Sequence, residues 1–302
     1  MEGRILFKGI FKMNTPDNIF AAALQTIQQK TFFQDYWRVF DIVHAQTDEL
    51  KERSFRLRYE VFCKENAFEK PGGPRCCAEE LEYDAYDSRA FHYLLVHRDS
   101  GEDAGTVRIL LANEQAPQES FPLQSVCDHP LLALDHKVTR LAELSRLCMA
   151  KRFRRRPLDG KILPSYYETE AEDGAKGLSR FFRRRIPYAP LGLLRAAFET
   201  ALEFNMPDLV TSMDTTHFRT MKRIGFSYRV LGPRVDYHGN QQPIVFNIKH
   251  VLDNMAIENP ECWEIVSDQG RLHKKANTLA QNQWHDNVFD DATREMIMQK
   301  LL

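Results

Sequence analysis

The sequence predicts an α/β chain of the α+β kind, a mixed but mainly antiparallel sheet flanked by helices, and three observations carry that prediction. Two β-rich runs, Phe91–His97 and Thr106–Leu111, are joined by the turn-forming stretch Asp99–Gly105, which is a hairpin signal. A strand–helix–strand succession follows in the second half, from Asp208 to Ile248. The composition, 43% hydrophobic and 27% charged over 302 residues, supports one large core with appended segments.

The elements follow in chain order. Thr15-Pro16-Asp17 reads as a helix start, with Thr15 as the cap, proline at the first helical position, and Ile19, Ala23 and Ile27 recurring on one face behind it. Residues 1–36 are therefore expected as a helical extension, packed on the main domain or touching a membrane surface through Phe7, Ile10, Phe11 and Phe20. The alternation in Trp37–Val43 predicts the first strand. Asp48 is expected to cap a helix whose apolar stripe is Leu50, Leu57, Val61 and Phe62, with Arg58 and Phe62 one turn apart on one face. Pro71-Gly-Gly-Pro74 marks a loop, and the hairpin comes next. A further strand covers Arg140–Met149. Beyond a polar insertion, Leu194, Phe198 and Leu202 predict a helix over Leu191–Phe204. A strand at Asp208–Met213, a helix at Thr216–Ile224 and closing strands at Phe226–Leu231 and Pro243–Ile248 complete a main domain of residues 37–250. Residues 251–302, with Trp263 and a last helix near Asp291, are expected as an extension beyond the core.

Charge and cysteine usage exclude several classes. A formal net charge of -1 supplies no global field for nucleic acid. Cys63, Cys76, Cys77, Cys127, Cys148 and Cys262 form no C-x-x-C pair, so reduced thiols in a cytoplasm are expected, Cys76-Cys77 being a loop pair and not a metal site. The N-terminus interrupts its apolar residues with charge too often for a secretory signal, and no run of apolar residues is long enough to span a membrane.

Candidate chemistry concentrates in four pieces: Arg58-Tyr-Glu-Val-Phe62, Glu82-Tyr-Asp84-Ala-Tyr86-Asp87, Gly105-Thr-Val-Arg108 and Glu143-Leu-Ser-Arg146. A carboxylate on a central strand needs a partner or a function, because burying it alone is costly. Glu143 is thus either a general base or half of an ion pair with Arg108 or Arg146. Glu143 and Arg146 are three apart and would point to opposite faces of a regular strand, whereas a β-bulge would turn both to one cleft. Asp84 and Asp87 belong to a pocket or to a solvated acidic loop shared with Glu79, Glu80 and Glu82. The basic runs Lys151-Arg152-Phe-Arg154-Arg155-Arg156 and Arg183-Arg184-Arg185 suit an acidic partner, with a solvated loop or anionic lipid as the other uses.

In that order the four pieces resemble the acyl-homoserine lactone synthases and the related N-acyl amino acid synthases, whose fold is similar to that of the GNAT acetyltransferases. The resemblance implies a three-layer GNAT-like fold with splayed fourth and fifth strands, the gap between them holding the pantetheine arm of a thioester. It implies a fatty acyl group moved from acyl carrier protein to the amino group of an amino acid or related amine. Glu143 would take the proton, an oxyanion donor would lie among Leu147 and Cys148, and Arg146 would shape the cleft. Arg58, Phe62, Phe68, Asp84, Tyr86, Asp87 and Arg108 would form the amine side. The synthases carry tryptophan where this chain has Phe68, which bears on the identity of the amine. Lys151, Arg152, Arg154, Arg155, Arg156, Arg183, Arg184 and Arg185 would receive the carrier protein. Only one glycine follows in Arg156-Pro-Leu-Asp-Gly160, which favours a carrier-protein donor over acyl-coenzyme A, and no cofactor or metal is implied. Met221–Phe226, Leu231–Gly239, Gln242-Pro243 and Cys262–Asp268 resemble a narrower group, the acyltransferases of exosortase and PEP-CTERM sorting systems. Tyr237 and His238 within that group lie either near the substrate channel or in a turn set by Gly239. Two other functions share these residues: a lactone autoinducer synthase using S-adenosylmethionine, and a non-catalytic module binding carrier protein or lipid.

Overall fold

The computed structural model describes residues 32–68, 79–153 and 189–282. The helix at Thr15, the Pro71–Pro74 loop, Cys76-Cys77, both basic triplets and the helix near Asp291 lie outside the described residues.

A helix over residues 32–39 (α1) runs directly into strand β1, Phe40–His44. The strand expected from Trp37 therefore starts three residues late. Tyr36, Val39 and Phe40 explain the shift: at spacings of three and four they fall on one helical face and are all buried. The Tyr36 hydroxyl also donates to the Ala189 carbonyl and accepts the Gly192 N–H at 2.7 Å, tying α1 to a distant helix. Helix α2, Asp48–Tyr59, is capped by Thr47 and not Asp48, since the Thr47 hydroxyl accepts the Leu50 N–H at 3.3 Å. Past Tyr59 the chain makes a π-helical turn, Glu60–Glu65, in which Phe62 is half-buried, whereas Arg58 before it is fully buried.

The hairpin forms as expected from β2, Phe91–His97, and β3, Asp103–Leu111. Two short helices, α3 (Pro130–Ala133) and α4 (Asp135–Val138), precede β4, Leu141–Met149. Helix α5 (Leu191–Glu203), β5 (Asp208–Asp214), α6 (Phe218–Arg223), β6 (Arg229–Val230), β7 (Val235–Asp236) and β8 (Asn240–Asn247) follow. They form one eight-stranded sheet in the order β1-β2-β3-β4-β5-β8-β6, with β7 beside β8. Every pairing is antiparallel except β4 with β5. That parallel pair is brief, running from Leu141↔Asp208 to Glu143↔Val210 and no further. Since β4 continues to Met149 and β5 to Asp214, the strands part immediately after Glu143, and the sheet is open at its centre.

The two sheet faces are covered separately. On one, α5 buries Leu194, Phe198 and Leu202 against Ile109, Leu144 and Leu209. On the other, Phe121, Leu123 and Leu131 cover Leu110, Leu141 and Val210. Helices α7 (Ile248–Glu258), α8 (Pro260–Val266) and α9 (Arg271–Asn282) belong to the first core through Leu252, Met255, Ile265 and Leu272, so the chain to Asn282 is not the appendage expected beyond residue 250. Gly225 makes that packing close: its φ is +79° and an added Cβ would lie 2.7 Å from the Met255 Cα. Gly225→Ala is therefore expected to destabilise the fold by about 1–3 kcal/mol through φ strain and displacement of α7, read from denaturant unfolding.

Cys127, Cys148 and Cys262 are free and buried. Cys63, in contrast, is disulfide-bonded to a partner outside the described residues, which corrects the expectation of uniformly reduced thiols. No helix among the described residues is long and apolar enough to cross a membrane.

Candidate active site

The β3–β4 register locates the bulge that the Glu143–Arg146 spacing required. Thr106 faces Cys148 and Arg108 faces Ser145, so Arg146 and Leu147 together oppose the single Val107. Arg146 takes the left-handed conformation, φ +54°, that such a bulge demands. Its guanidinium thereby reaches the face of the sheet on which Arg108 lies.

There it closes a ring of alternating charge. Arg58 binds Glu82, and its two terminal nitrogens grip Asp87 at 2.8 and 3.0 Å. Asp87 accepts from Arg108 at 2.9 Å, Arg108 donates to Asp84 at 2.6 Å, and Asp84 accepts from Arg146 at 2.9 Å. Arg146 returns to Glu82 at 3.0 Å. Three guanidinium and three carboxylate groups thus balance in the interior, with Arg58, Arg108 and Glu82 inaccessible to solvent. Burial alone would raise the Asp87 carboxyl, but Arg58 and Arg108 outweigh it and hold it well below the usual carboxylate range. Glu82 is lowered against the same burial by Arg58 and Arg146. Asp84 adds a local function, capping the 3-10 turn Ala85–Arg89 through the Tyr86 N–H at 2.9 Å. Glu82 is the member to which the sequence assigned no role, whereas Glu79 and Glu80, expected on the surface, are exposed.

Glu143 stands next to the ring but outside it. Among the described residues it forms no ion pair, and its one hydrogen bond is from the Leu123 N–H to Oε2 at 3.0 Å. The pairing with Arg108 or Arg146 left open by the sequence is not found. Burial raises the Glu143 carboxyl to about 7, against partial opposition from Arg108. This is a carboxylate poised to exchange protons near neutrality.

It lines a cavity of about 620 Å³ at the parting of β4 and β5. Its wall includes the polar side chains Glu143, Ser145, Arg146 and Tyr237. It also includes the apolar side chains Leu144, Leu194, Met221 and Phe246. Ser145 accepts from Arg108 Nε at 3.0 Å and so joins the ring to the cavity wall. Tyr237 hydrogen-bonds Arg146, both Tyr237 and His238 line the cavity, and the turn at Gly239 is formed as well, with the Tyr237 N–H donating to the Gly239 carbonyl at 2.9 Å. Phe62, Phe68 and His238 continue the wall, with Phe62 5.8 Å from the His238 ring and 6.5 Å from that of Phe68.

Leu147 and Cys148 lie at the bulge and line the cavity. Tyr86 packs against the second core and under the Arg89 guanidinium at 5.4 Å, and it does not line the cavity. Lys151 is exposed, and Arg152 is paired with Glu60 at 2.9 Å and Glu102 at 3.1 Å.

Residues 57–162 match a family described as an acetyltransferase (GNAT) domain. No curated protein matches the chain. Among solved structures, TofI in a ternary complex with an inhibitor and MTA is 17% identical, covering 74% of this chain and 100% of that one with a TM-score of 0.47. The acyl-homoserine lactone synthase LasI is 19% identical over 70% of this chain and 89% of its own, with a TM-score of 0.43. FeeM, an N-acyl amino acid synthase from uncultured soil microbes, is 12% identical over 71% and 93%, with a TM-score of 0.42. The stretch matched by the acetyltransferase (GNAT) family contains the whole charge ring, the bulge and Glu143.

Proposed function

We propose that this chain is an N-acyltransferase moving a fatty acyl group from an acyl carrier protein thioester to the amino group of an amino acid or related amine. One observation carries the reading: a carboxylate without an ion pair among the described residues, raised to about 7 by burial, lines a cavity at the parting of two strands whose wall also includes apolar side chains. An α-ammonium nucleophile, which in water titrates at about 7.7–8.0, must lose a proton before attack, and a base near 7 is suited to take it. In the step itself the amine nitrogen bonds to the thioester carbonyl carbon and the C–S bond breaks. Glu143 takes the ammonium's first proton, directly or through a water, and releases it to solvent, and the second proton, shed by nitrogen as the tetrahedral adduct collapses, goes to the leaving thiolate. Leu147 and Cys148 at the bulge supply the backbone N–H for the developing oxyanion. The apolar side chains beyond Leu144 take the acyl tail. Arg58, Asp84, Asp87, Arg108 and Arg146 keep the polar end in shape, and Phe62 and Phe68 bound the amine. The likeness of the later motifs supports a kinship with the acyltransferases of exosortase and PEP-CTERM systems, and a carrier-protein donor supports a cytoplasmic setting.

Incubation with long-chain acyl carrier protein and a mixture of amino acids, followed by mass spectrometry, tests the reading. Acylated amino acid is the expected product. Homoserine lactone from S-adenosylmethionine, or donor hydrolysis alone, would each refute it.

The pH profile offers an independent check. Glu143 acts as a base only when ionised, so kcat is expected to climb as pH rises through about 7 and to level above it. A flat profile from pH 6 to 8.5 would exclude a base of this kind.

A further inference from the structure

The cavity wall holds more uncompensated negative than positive charge. Among the described residues lining it, Glu143 and Asp214 are the carboxylates, and Arg146 is the one arginine or lysine. The Arg146 charge is already matched within the ring by Glu82 and Asp84. Asp214 forms no ion pair among the described residues, and its one hydrogen bond there is from the Thr216 N–H to Oδ1 at 2.8 Å. The two carboxylates share a face of the sheet. Glu143 accepts from Leu123 and stands beside Val210, both in the second core, and side-chain alternation along β5 carries Asp214 to the side of Val210. Tyr237, whose ring lies 4.5 Å from that of His238, reaches the same region through its bond to Arg146. Together with Phe62 and Phe68 these rings offer the cavity π faces suited to a cation.

We infer that the acceptor is an amine carrying a second protonated nitrogen, which Asp214 receives while Glu143 deprotonates the first. The inference rests on the acyltransferase reading and narrows the acceptor within it. Since β5 advances about 3.3 Å per residue, the levels of Val210 and Asp214 differ by about 13 Å. A hydrogen bond of about 2.8 Å to the ligand at each end leaves roughly 7 Å. That is the reach of lysine, whose α- and ε-nitrogens stand about so far apart when its side chain is extended. No lysine or arginine among the described lining residues is left to receive a carboxylate, so the decarboxylated diamine belongs to the same class. A sulfonium such as that of S-adenosylmethionine has no N–H to give Asp214, and an amino acid with an apolar side chain brings no second cation.

The test uses the full chain and its Asp214→Asn variant, with long-chain acyl carrier protein as donor and lysine, norleucine or S-adenosylmethionine as acceptor. Norleucine is lysine without its ε-nitrogen, and asparagine can still accept the Thr216 N–H. Wild-type kcat/KM is expected to favour lysine over norleucine by about tenfold or more, chiefly through KM, and the ratio should drop below about threefold in the variant. Equal use of lysine and norleucine by the wild-type chain would overturn the assignment. So would a preference for lysine that survives Asp214→Asn, or a preference for S-adenosylmethionine. Titration calorimetry with lysine and norleucine on both proteins gives a second readout that needs no turnover. If the wild-type chain acylates none of the acceptors, the acyltransferase reading falls, and the calorimetry decides the site alone: a lysine affinity that depends on Asp214 upholds it, and one that does not overturns it.

Discussion

Glu143→Gln is expected to lower kcat by about two to four orders of magnitude, the usual loss when a general base is removed, while donor KM stays within about threefold. Glutamine has nearly the same shape and still accepts the Leu123 N–H, so the cavity wall should persist. Stability should move the other way. The folded carboxyl titrates at about 7 against an ordinary glutamate value of 4.5. Between those values the folded chain holds a proton that the unfolded chain has lost, so stability falls as pH rises across this window and is flat above it. The gap corresponds to roughly 3 kcal/mol of destabilisation at pH 8, which the neutral glutamine escapes. A variant that is nearly inactive yet harder to unfold at pH 8 than at pH 5, relative to wild type, would identify a group kept for chemistry. Turnover within a few fold of wild type would remove Glu143 from the role. Lost turnover accompanied by lost stability would make it a structural residue.

The parts of this site that were legible in the sequence are those fixed by short spacing. Glu143 and Arg146 could share one cleft only through a bulge, and the bulge is present because strand periodicity leaves no other solution. The hairpin, β4 and α5 were legible for the same reason, their apolar period being uninterrupted. Glu82 was not, because an acid among acids looks like a solvated face. Only three-dimensional placement shows that three carboxylates face three guanidinium groups. The one available signal was numerical: Arg58, Arg108 and Arg146 need three acids if all are buried, and Asp84 and Asp87 provide two. The start of β1 and the membership of α7–α9 in the core depended on distant partners, the Tyr36 hydroxyl at Gly192 and the Gly225 backbone at Met255, which local periodicity does not encode.

Arg58→Met should have the largest effect on folding. The arginine is fully buried and satisfies Glu82 and Asp87 together, so its loss leaves three carboxylates facing two guanidinium groups in a dry interior. Removing one partner of a buried charge pair typically costs about 3–5 kcal/mol, chiefly from the charge left behind, and for a chain of this size that is a fall in Tm of about 10 °C. Arg58→Lys keeps the charge but loses the planar fork that grips Asp87 with two nitrogens, so an intermediate loss is expected. The pH dependence separates this account from simple loss of packing. In wild type Asp87 and Glu82 are held below their ordinary range, so their contribution is present above the unfolded carboxylate pKa and is lost as pH falls. In Arg58→Met the stranded carboxylates can take up a proton and shed their penalty, so the gap between the two proteins should narrow as pH is lowered from 8 towards 5. Denaturant unfolding across that range is the measurement. A deficit below about 1 kcal/mol, the value of an exposed pair, or one independent of pH would mean that the ring is not held by the charges that compose it.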